Sequence, residues 1–411
     1  MISPKKALDS ILENVSRLPI ERVHISKAAG RILDEKIVAT TDSPPFDNSA
    51  MDGYAVCWQD VSDSSRETPV SLKLRETIRA GALAKERLSL GEAMKIMTGA
   101  TVPPGADTVV MQEKTELQQD KRVVSILHSP KKGEHIRFHG EDIRRGSVLM
   151  EEGSLIRPYE IAVLASQGIC EVAVVKKPVV AVRATGDELV DISDSLSPGM
   201  LRNSNGPALA SELFKWGFDY IDMGISGDDQ EELEAKVSQA LNKADVLIIS
   251  GGVSVGDYDF TREVLRRVGV EEVFWKAAIK PGKPLMFGTW NPGPATKKPV
   301  FGMPGNPVAV LVCVEEFVRP ALEKMQGYSP SYPSYHLAGK AKNKYKTPEE
   351  RQQFIFCKVT PDEKLGFSIE IIRPQGSAMM GMACTANALA ISPVGTSLIK
   401  EGDVLSFRWL K

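Results

Sequence analysis

Asp245-Val246-Leu247-Ile248-Ile249 runs directly into Ser250-Gly251-Gly252-Val253-Ser254-Val255-Gly256. A short run of branched apolar residues reads as a buried strand, and the glycines after it as the turn that ends it. The same grammar extends in both directions. Upstream, Val179 to Ala184 reads as a strand followed by Thr185-Gly186-Asp187-Glu188, Pro207 to Trp216 as a helix ended by Gly217, and Tyr220 to Ile225 as a strand. Asp228 or Asp229 then caps a helix with Leu233, Val237 and Leu241 on one face. Downstream, Phe260 to Val268 reads as a helix, Val273 to Ala278 and Pro299 to Gly302 as strands, and Val308 to Leu322 as an apolar helix. Alternating strands and helices predict βαβ units, with a mainly parallel sheet covered by helices on both faces.

Lys177-Pro178 opens this αβ region. Before it, Pro4 to Leu18 carries apolar residues at helical spacing, and Leu18-Pro19 ends the run. From about residue 22 to 175 the texture is short β runs such as Arg22 to Ile25, Met51 to Val56, Val109 to Gln112 and Val123 to Ile126, with one helix around Arg157 to Gln167. After Pro330 the β runs Phe354 to Val359, Phe367 to Ile372 and Val404 to Trp409 predict a small β domain.

At 411 residues the chain has room for about two or three domains. Its 51 basic and 53 acidic side chains leave a formal charge of −2, which argues against a nucleic-acid binder. No apolar run reaches the ~18 residues of a membrane helix, so no membrane association is expected. Cys57, Cys170, Cys313, Cys357 and Cys384 are odd in number and widely spaced, with no CxxC pair, so a disulfide framework or zinc site is disfavoured and a reducing cytoplasm is the default.

In an open αβ sheet, ligands bind beyond the carboxyl ends of the strands. Four polar loops follow strands here: Thr185-Gly186-Asp187-Glu188, Ser226-Gly227-Asp228, Ser250 to Gly256, and Met303-Pro304-Gly305-Asn306-Pro307. Each alone could be an ordinary turn. Together they predict one ligand-binding rim. In the third, Gly251 and Gly252 allow backbone N–H groups to approach an anion, and the helix starting near Asp259 turns its positive end the same way. It is not a Walker A loop, because Asp257 and Tyr258 follow Gly256, and its glycine spacing does not fit GxGxxG.

Lys276, Lys280 and Lys283 lie among apolar residues, Pro281, Gly282 and Pro284. Lysine is a compact cation suited to oxyanions; a solvated basic loop is the alternative. Asp187, Glu188, Asp228 and Asp259 would repel a phosphate unless a divalent cation lay between, and Mg²⁺ takes one or two carboxylates together with phosphate oxygens. Acids and lysines in one region therefore point to a metal–phosphate site, although Asp228 and Asp259 could also serve as helix caps. In the β-rich part, Phe46 to Val56 and Gly140 to Gly146 read by spacing only as turns and strands, and Asp52-Gly53 as a hairpin turn.

Taken together, PPFDNSAMDGYAV at 44–56, IMTGATVPPGADTVVMQE at 96–113, GEDI at 140–143, ATGDEL at 184–189, SGGVSVGDYDFT at 250–261, KAAIKPGKP at 276–284, GMPGNPVA at 302–309 and PQGSAMM at 374–380 resemble the molybdopterin molybdenumtransferase family. These are the bacterial MoeA proteins, with the gephyrin E domain and its plant counterpart as eukaryotic relatives. The resemblance covers essentially the whole chain. It implies an α/β and β multidomain fold: a central αβα module like that of the MoaB and Mog proteins at 1–26 and 177–327, a connecting β-rich lobe at 27–45 and 146–176, an inserted β-rich lobe at 46–145, and a β-barrel-like domain at 328–411. It also implies a cytoplasmic homodimer whose shared site combines adenylylated molybdopterin with molybdate, assisted by Mg²⁺, and releases AMP. A molybdopterin adenylyltransferase and recipient molybdoenzymes would be its partners.

The resemblance carries residue roles. Asp52, Asp142, Glu188, Asp228, Asp259, Lys276 and Lys280 match catalytic positions, with Glu188, Asp228 and Asp259 as metal ligands. Thr98, Arg137, Thr185, Gly186, Asp187, Ser250, Gly251, Gly252, Ser254, Gly256, Lys283, Pro304, Gly305, Asn306, Pro307 and Ser377 are expected to bind substrate. Two stretches depart from the pattern: Phe138 and His139 follow Arg137 where relatives continue with arginines, and Arg351-Gln352-Gln353-Phe354 is less acidic than usual. The alternatives are a molybdopterin adenylyltransferase, which shares the αβ module without the added lobes, and a non-catalytic scaffold for cofactor assembly.

Overall fold

The computed structural model describes residues 1–119, 122–227, 229–253, 260–291, 293, 297–328, 335–363 and 366–410. They fall into two compact units: Met1–Asp34 with Leu155–Pro158 and Glu171–Lys411, and Glu35–Ser154 with Tyr159–Cys170.

The first unit is organised by six strands: β1 (Val179–Thr185), β2 (Asp219–Ser226), β3 (Val246–Ser250), β4 (Val270–Trp275), β5 (Met286–Trp290) and β6 (Lys298–Met303). Their spatial order is β2-β1-β3-β6-β5-β4. The first four are parallel, and β5 and β4 complete the sheet antiparallel. The expected parallel sheet therefore carries an antiparallel edge. The chain between β4 and β5 contains no crossover helix, so it can only return antiparallel.

Period-two alternation sends successive residues to opposite faces. In β3, Val246 and Ile248 join the cluster of Ala7 and Ile11 from helix α1 (Pro4–Glu13) and Leu209 and Leu213 from α2 (Asn205–Lys215). Leu247 and Ile249 pack on the other face against Leu233 and Val237 of α3 (Gln230–Lys243) and Val264 and Leu265 of α4 (Thr261–Arg267). The cap of α3 is Asp229, whose carboxylate accepts from the N–H groups of Glu231 and Glu232. The other candidate cap, Asp228, lies outside the described residues.

The apolar helix expected at 308–322 is broken into α5 (Pro307–Cys313), a π-turn at Val314–Val318 and α6 (Arg319–Met325). Pro320 has no N–H to give the preceding turn, and a widened turn there accommodates the loss. The strands Leu337–Ala341, Gln352–Asp362, Gly366–Ile371, Ala388–Ser392 and Val404–Trp409 close into a five-stranded barrel. Ile279–Lys280 pairs in parallel with Gln352–Gln353 and so ties the basic loop to the barrel.

The second unit holds a mixed sheet of Thr108–Met111, Gly53–Val56, Glu92–Ile96, Val70–Ile78, Val123–Ile126 and Thr115–Leu117, in that spatial order. The short strand Ile136–Arg137 pairs with Asn48–Ser49. The expected helix near 157–167 is Pro158–Ser166. Among the described residues, no helix is long and apolar enough to cross a membrane.

An ion pair fastens the barrel to the π-turn. Arg408 reaches Glu315 Oε2 and Glu316 Oε1, each at 3.0 Å, and the Tyr335 hydroxyl donates to Glu316 at 2.8 Å. Burial raises the Glu316 carboxyl above its ordinary value of 4.5. Removing one partner of a buried pair leaves the other uncompensated, so Arg408→Met should cost about 3–5 kcal/mol of stability. A raised folded pKa makes an acid's contribution fade as pH climbs. The variant's urea midpoint should therefore fall from pH 4.5 upward through the raised Glu316 value, more steeply than in the parent chain.

Candidate functional site

The parallel register delivers the four loops to one rim. Thr185 pairs with Ser226, Ala184 with Ser250, and Ser250 with Met303, so β1, β2, β3 and β6 end level. Three of these loops surround a cavity of about 610 Å³ lined by Thr185, Gly186, Glu188, Ser250, Gly251, Gly252, Pro304, Gly305, Asn306 and Pro307, together with Asn203 and Asn205. Asp187 does not line it; a Cβ on Gly227 would lie 2.8 Å from Asp187 Oδ1, so this carboxylate faces the loop after β2.

Backbone shape explains the glycines. Gly252 has φ +65°, and a Cβ there would lie 2.2 Å from Thr261 Oγ1. At Gly251, φ is +102° and a Cβ would meet the Thr185 carbonyl oxygen at 2.3 Å. Neither position admits a side chain without rebuilding the loop. The Glu188 carboxylate is folded over Gly186, where a Cβ would lie 2.4 Å from Oε2.

Three polar atoms on residues that line the cavity are buried and find no hydrogen-bond partner among the described residues: Thr185 Oγ1, Ser250 Oγ and Asn205 Oδ1. The Asn205 amide is anchored, its Nδ2 donating to the Gly305 carbonyl at 2.8 Å. Buried polar atoms are rarely left unpaired, so these three oxygens mark a surface built for a polar ligand.

A second cavity of about 240 Å³ shares Pro284, Pro304 and Asn306 with the first. Lys280, Lys283, Arg351, Gln353, Gln375 and Ser377 line it. The Asn306 amide donates to Ser377 Oγ at 3.0 Å, which joins the loop after β6 to the barrel. Gly282 packs on Cys313, whose Sγ lies 2.5 Å from where a Cβ would stand, so the basic loop is seated against α5. The chamber is small and carries the cations of Lys280, Lys283 and Arg351, properties that suit a compact oxyanion.

Arg351, Gln353, Gln375, Asn203 and Asn205 were not assigned to the site from sequence. The first three come from the barrel domain, which is brought in by the parallel pairing of Ile279–Lys280 with Gln352–Gln353 and by the Asn306–Ser377 bond. Lys276 departs from expectation. It lines neither cavity; its Nζ lies 3.6 Å from the centre of the Trp275 ring. Asp228, Ser254, Gly256 and Asp259 lie outside the described residues.

The other predicted residues belong to the second unit. Asp52 and Thr98 meet directly: Asp52 Oδ1 accepts from Thr98 N at 2.7 Å and from its hydroxyl at 2.9 Å. The Thr98 backbone bond first, and then its hydroxyl bond, hold the Asp52 carboxyl below its ordinary value of 3.8. Arg137 lies on the strand paired with Asn48–Ser49, and Asp142 donates its N–H to the Ser43 carbonyl. Both are exposed. After Arg137, the His139 N–H donates to Asp47 and its ring faces Asp42 at 3.2 Å.

Among the described residues no group of three His, Cys, Asp or Glu side chains forms a metal cluster. Glu188 is the described member of the predicted ligand set. It lines the same cavity as Thr185 and Ser250, so the side-chain donors these three residues offer there are all oxygens. Such a set fits Mg²⁺, which takes few protein carboxylates when phosphate completes its shell.

This geometry defines a multidomain chain built around an αβ module with a ligand cavity at the ends of its parallel strands. Three family profiles match it in order: MoeA N-terminal region (domain I and II) at residues 2–168, probable molybdopterin binding domain at 181–324, and MoeA C-terminal region (domain IV) at 338–408. Molybdopterin molybdenumtransferase from Nostoc sp. is 38% identical over 395 residues, 95% of this chain and 89% of the relative. Its counterpart from Haemophilus influenzae is 34% identical over 390 residues, 94% and 93% of the two chains. The MoeA crystal structure from Pyrococcus horikoshii OT3 superposes with a TM-score of 0.79 at 29% identity and covers 100% of both chains. The chain therefore belongs to the molybdopterin molybdenumtransferase (MoeA) family, transferases of molybdenum cofactor biosynthesis.

Two measurements check this geometry. Thr98→Val removes the hydroxyl and keeps the stronger backbone bond, so the Asp52 pKa should rise partway toward 3.8 and stop short of it in a carboxyl carbon NMR titration. Gly252→Ala should lose about 1–3 kcal/mol of stability in urea unfolding, because it adds a clash to a left-handed backbone.

Proposed function

We propose that this chain inserts molybdenum from molybdate into adenylylated molybdopterin, releasing AMP. The observation that carries the reading is the joined pair of cavities: a small cationic chamber opening beside a larger one with unpartnered oxygens. In this reading Lys280, Lys283, Arg351 and Ser377 hold molybdate. The glycine loop at 250–253 and Lys276 take the phosphate, and Thr185, Ser250 and Asn205 orient the rest of the substrate. Glu188, with Asp228 and Asp259, would hold Mg²⁺. Bound there, Mg²⁺ would neutralise charge on the phosphate as the anhydride bond breaks. Preorganised cations and N–H groups then supply the electrostatic stabilisation, and no side-chain nucleophile is required.

Four further assignments belong to the same proposal. The chain works as a cytoplasmic homodimer, with Asp52, Thr98, Arg137 and Asp142 of the partner subunit completing each site. The four-domain division at 1–26 with 177–327, 27–45 with 146–176, 46–145 and 328–411 describes its architecture. A molybdopterin adenylyltransferase supplies its substrate, and molybdoenzymes receive its product. The neutral charge balance leaves nucleic acid without a role.

The test is AMP release by the purified chain given adenylylated molybdopterin, molybdate and Mg²⁺. Lys280→Ala should lower kcat/KM for molybdate about 100-fold, the scale for losing one preorganised charge-stabilising group. Glu188→Gln should raise the Mg²⁺ concentration needed for half-maximal rate. Consumption of ATP with molybdopterin alone would instead identify an adenylyltransferase. No AMP release by the parent chain would leave a scaffold, and unchanged rates in both variants would remove Lys280 and Glu188 from the reaction.

A further inference from the structure

Trp275 makes three contacts that no role so far explains. Its indole N–H donates to the Val253 carbonyl at 3.0 Å, so the ring edge touches the glycine loop. Two cations lie close to the ring centre: the Arg262 guanidinium carbon at 3.7 Å and Lys276 Nζ at 3.6 Å. They differ in availability. Arg262 is bound in a fork by Glu272 at 2.8–3.1 Å, which neutralises it. For Lys276, no carboxylate partner is present among the described residues.

The backbone sets up this contact. Successive side chains of a strand normally point to opposite faces. Lys276 follows the end of β4 with φ +72°, a left-handed conformation uncommon outside glycine. Hydrogen bonds fix it on both sides: the Lys276 N–H donates to the Leu285 carbonyl, and its own carbonyl accepts from Ile2. That turn folds the lysine back over its neighbour's ring. An aromatic face attracts an ammonium without cancelling its charge, and the group's N–H donors remain free for an anion.

We propose that Trp275 is a positioning residue that holds the Lys276 ammonium beside the glycine loop, ready for the phosphate of the nucleotide portion of the substrate. The proposal rests on the reading above that this loop and Lys276 take the phosphate. Its specific content is that the ring reduces the freedom a lysine must lose on binding, and that it acts on phosphate rather than on molybdate, because the ring under Lys276 is bonded to Val253 of the glycine loop and neither Trp275 nor Lys276 lines the small chamber.

The test uses the full-length chain and calorimetric titration with AMP and, separately, with molybdate. Trp275→Leu should weaken AMP binding about fivefold, the scale of a partly exposed cation–π contact, and leave the molybdate Kd unchanged. Trp275→Phe retains an aromatic face, should lose less, and guards against a trivial folding defect. In a Lys276→Ala background the Trp275→Leu change should fall below about twofold, the non-additivity expected of a coupled pair. An equal loss in both backgrounds, or tighter AMP binding by Trp275→Leu, would overturn the proposal and leave Trp275 a packing residue. If Lys276→Ala alone left AMP affinity intact, the assignment of Lys276 to phosphate would fall, and this proposal with it.

Discussion

The level ends of four parallel strands are the constraint on which the rest depends. Parallel pairing of β2, β1, β3 and β6 puts their carboxyl ends on one edge, so the loops that follow are neighbours although Thr185 and Asn306 are 121 positions apart in sequence. The antiparallel return of β5 serves the same end differently. It swings the Lys280–Pro284 loop back past the sheet, where Ile279–Lys280 can pair with the barrel. The cationic chamber is therefore a joint product of two folds, with lysines from the sheet's return loop and Arg351 and Gln353 from the barrel.

Charge is handled differently at the centre and at the periphery. Arg408 is paired with Glu315 and Glu316 where the barrel meets the π-turn, and Arg262 is neutralised by Glu272. At the rim, by contrast, Lys276 rests on a ring, and the Thr185 and Ser250 oxygens have no partner. Unpartnered polar atoms lower stability wherever they are buried. Among the described residues, three such atoms belong to residues lining the larger cavity and a fourth, Gln353 Oε1, to a residue lining the smaller, as expected of a site that a ligand completes.

Much of this was legible in the sequence, because strand–loop–helix punctuation is local. The strands around Val179–Thr185, Val246–Ser250 and Lys298–Met303, and hence the rim, follow from short apolar runs ending in Gly, Ser, Asp or Asn. Three of the five barrel strands, Gln352–Asp362, Gly366–Ile371 and Val404–Trp409, were visible as runs, whereas Leu337–Ala341 and Ala388–Ser392 were not. What could not be read is non-local. The strand Met286–Trp290 has no helix before it to announce it. The π-turn answers Pro320 within a run that looks continuously helical. Asn205 enters the site by its place at the start of α2, and Arg351 by a strand pairing more than 70 residues distant in sequence. The Asp52–Thr98 contact is similar: spacing alone gave only a hairpin turn, and the family motifs alone singled out the two residues that prove to be bonded.

The most direct test is crystallographic: the chain soaked with molybdate and AMP, and the molybdenum located by its anomalous signal. The account predicts a molybdenum peak in the chamber bounded by Lys280, Lys283, Arg351 and Ser377, with the AMP phosphate at Gly251 and Gly252 in the adjoining cavity. A molybdenum peak away from that chamber, or AMP bound with its phosphate remote from the glycine loop, would contradict it.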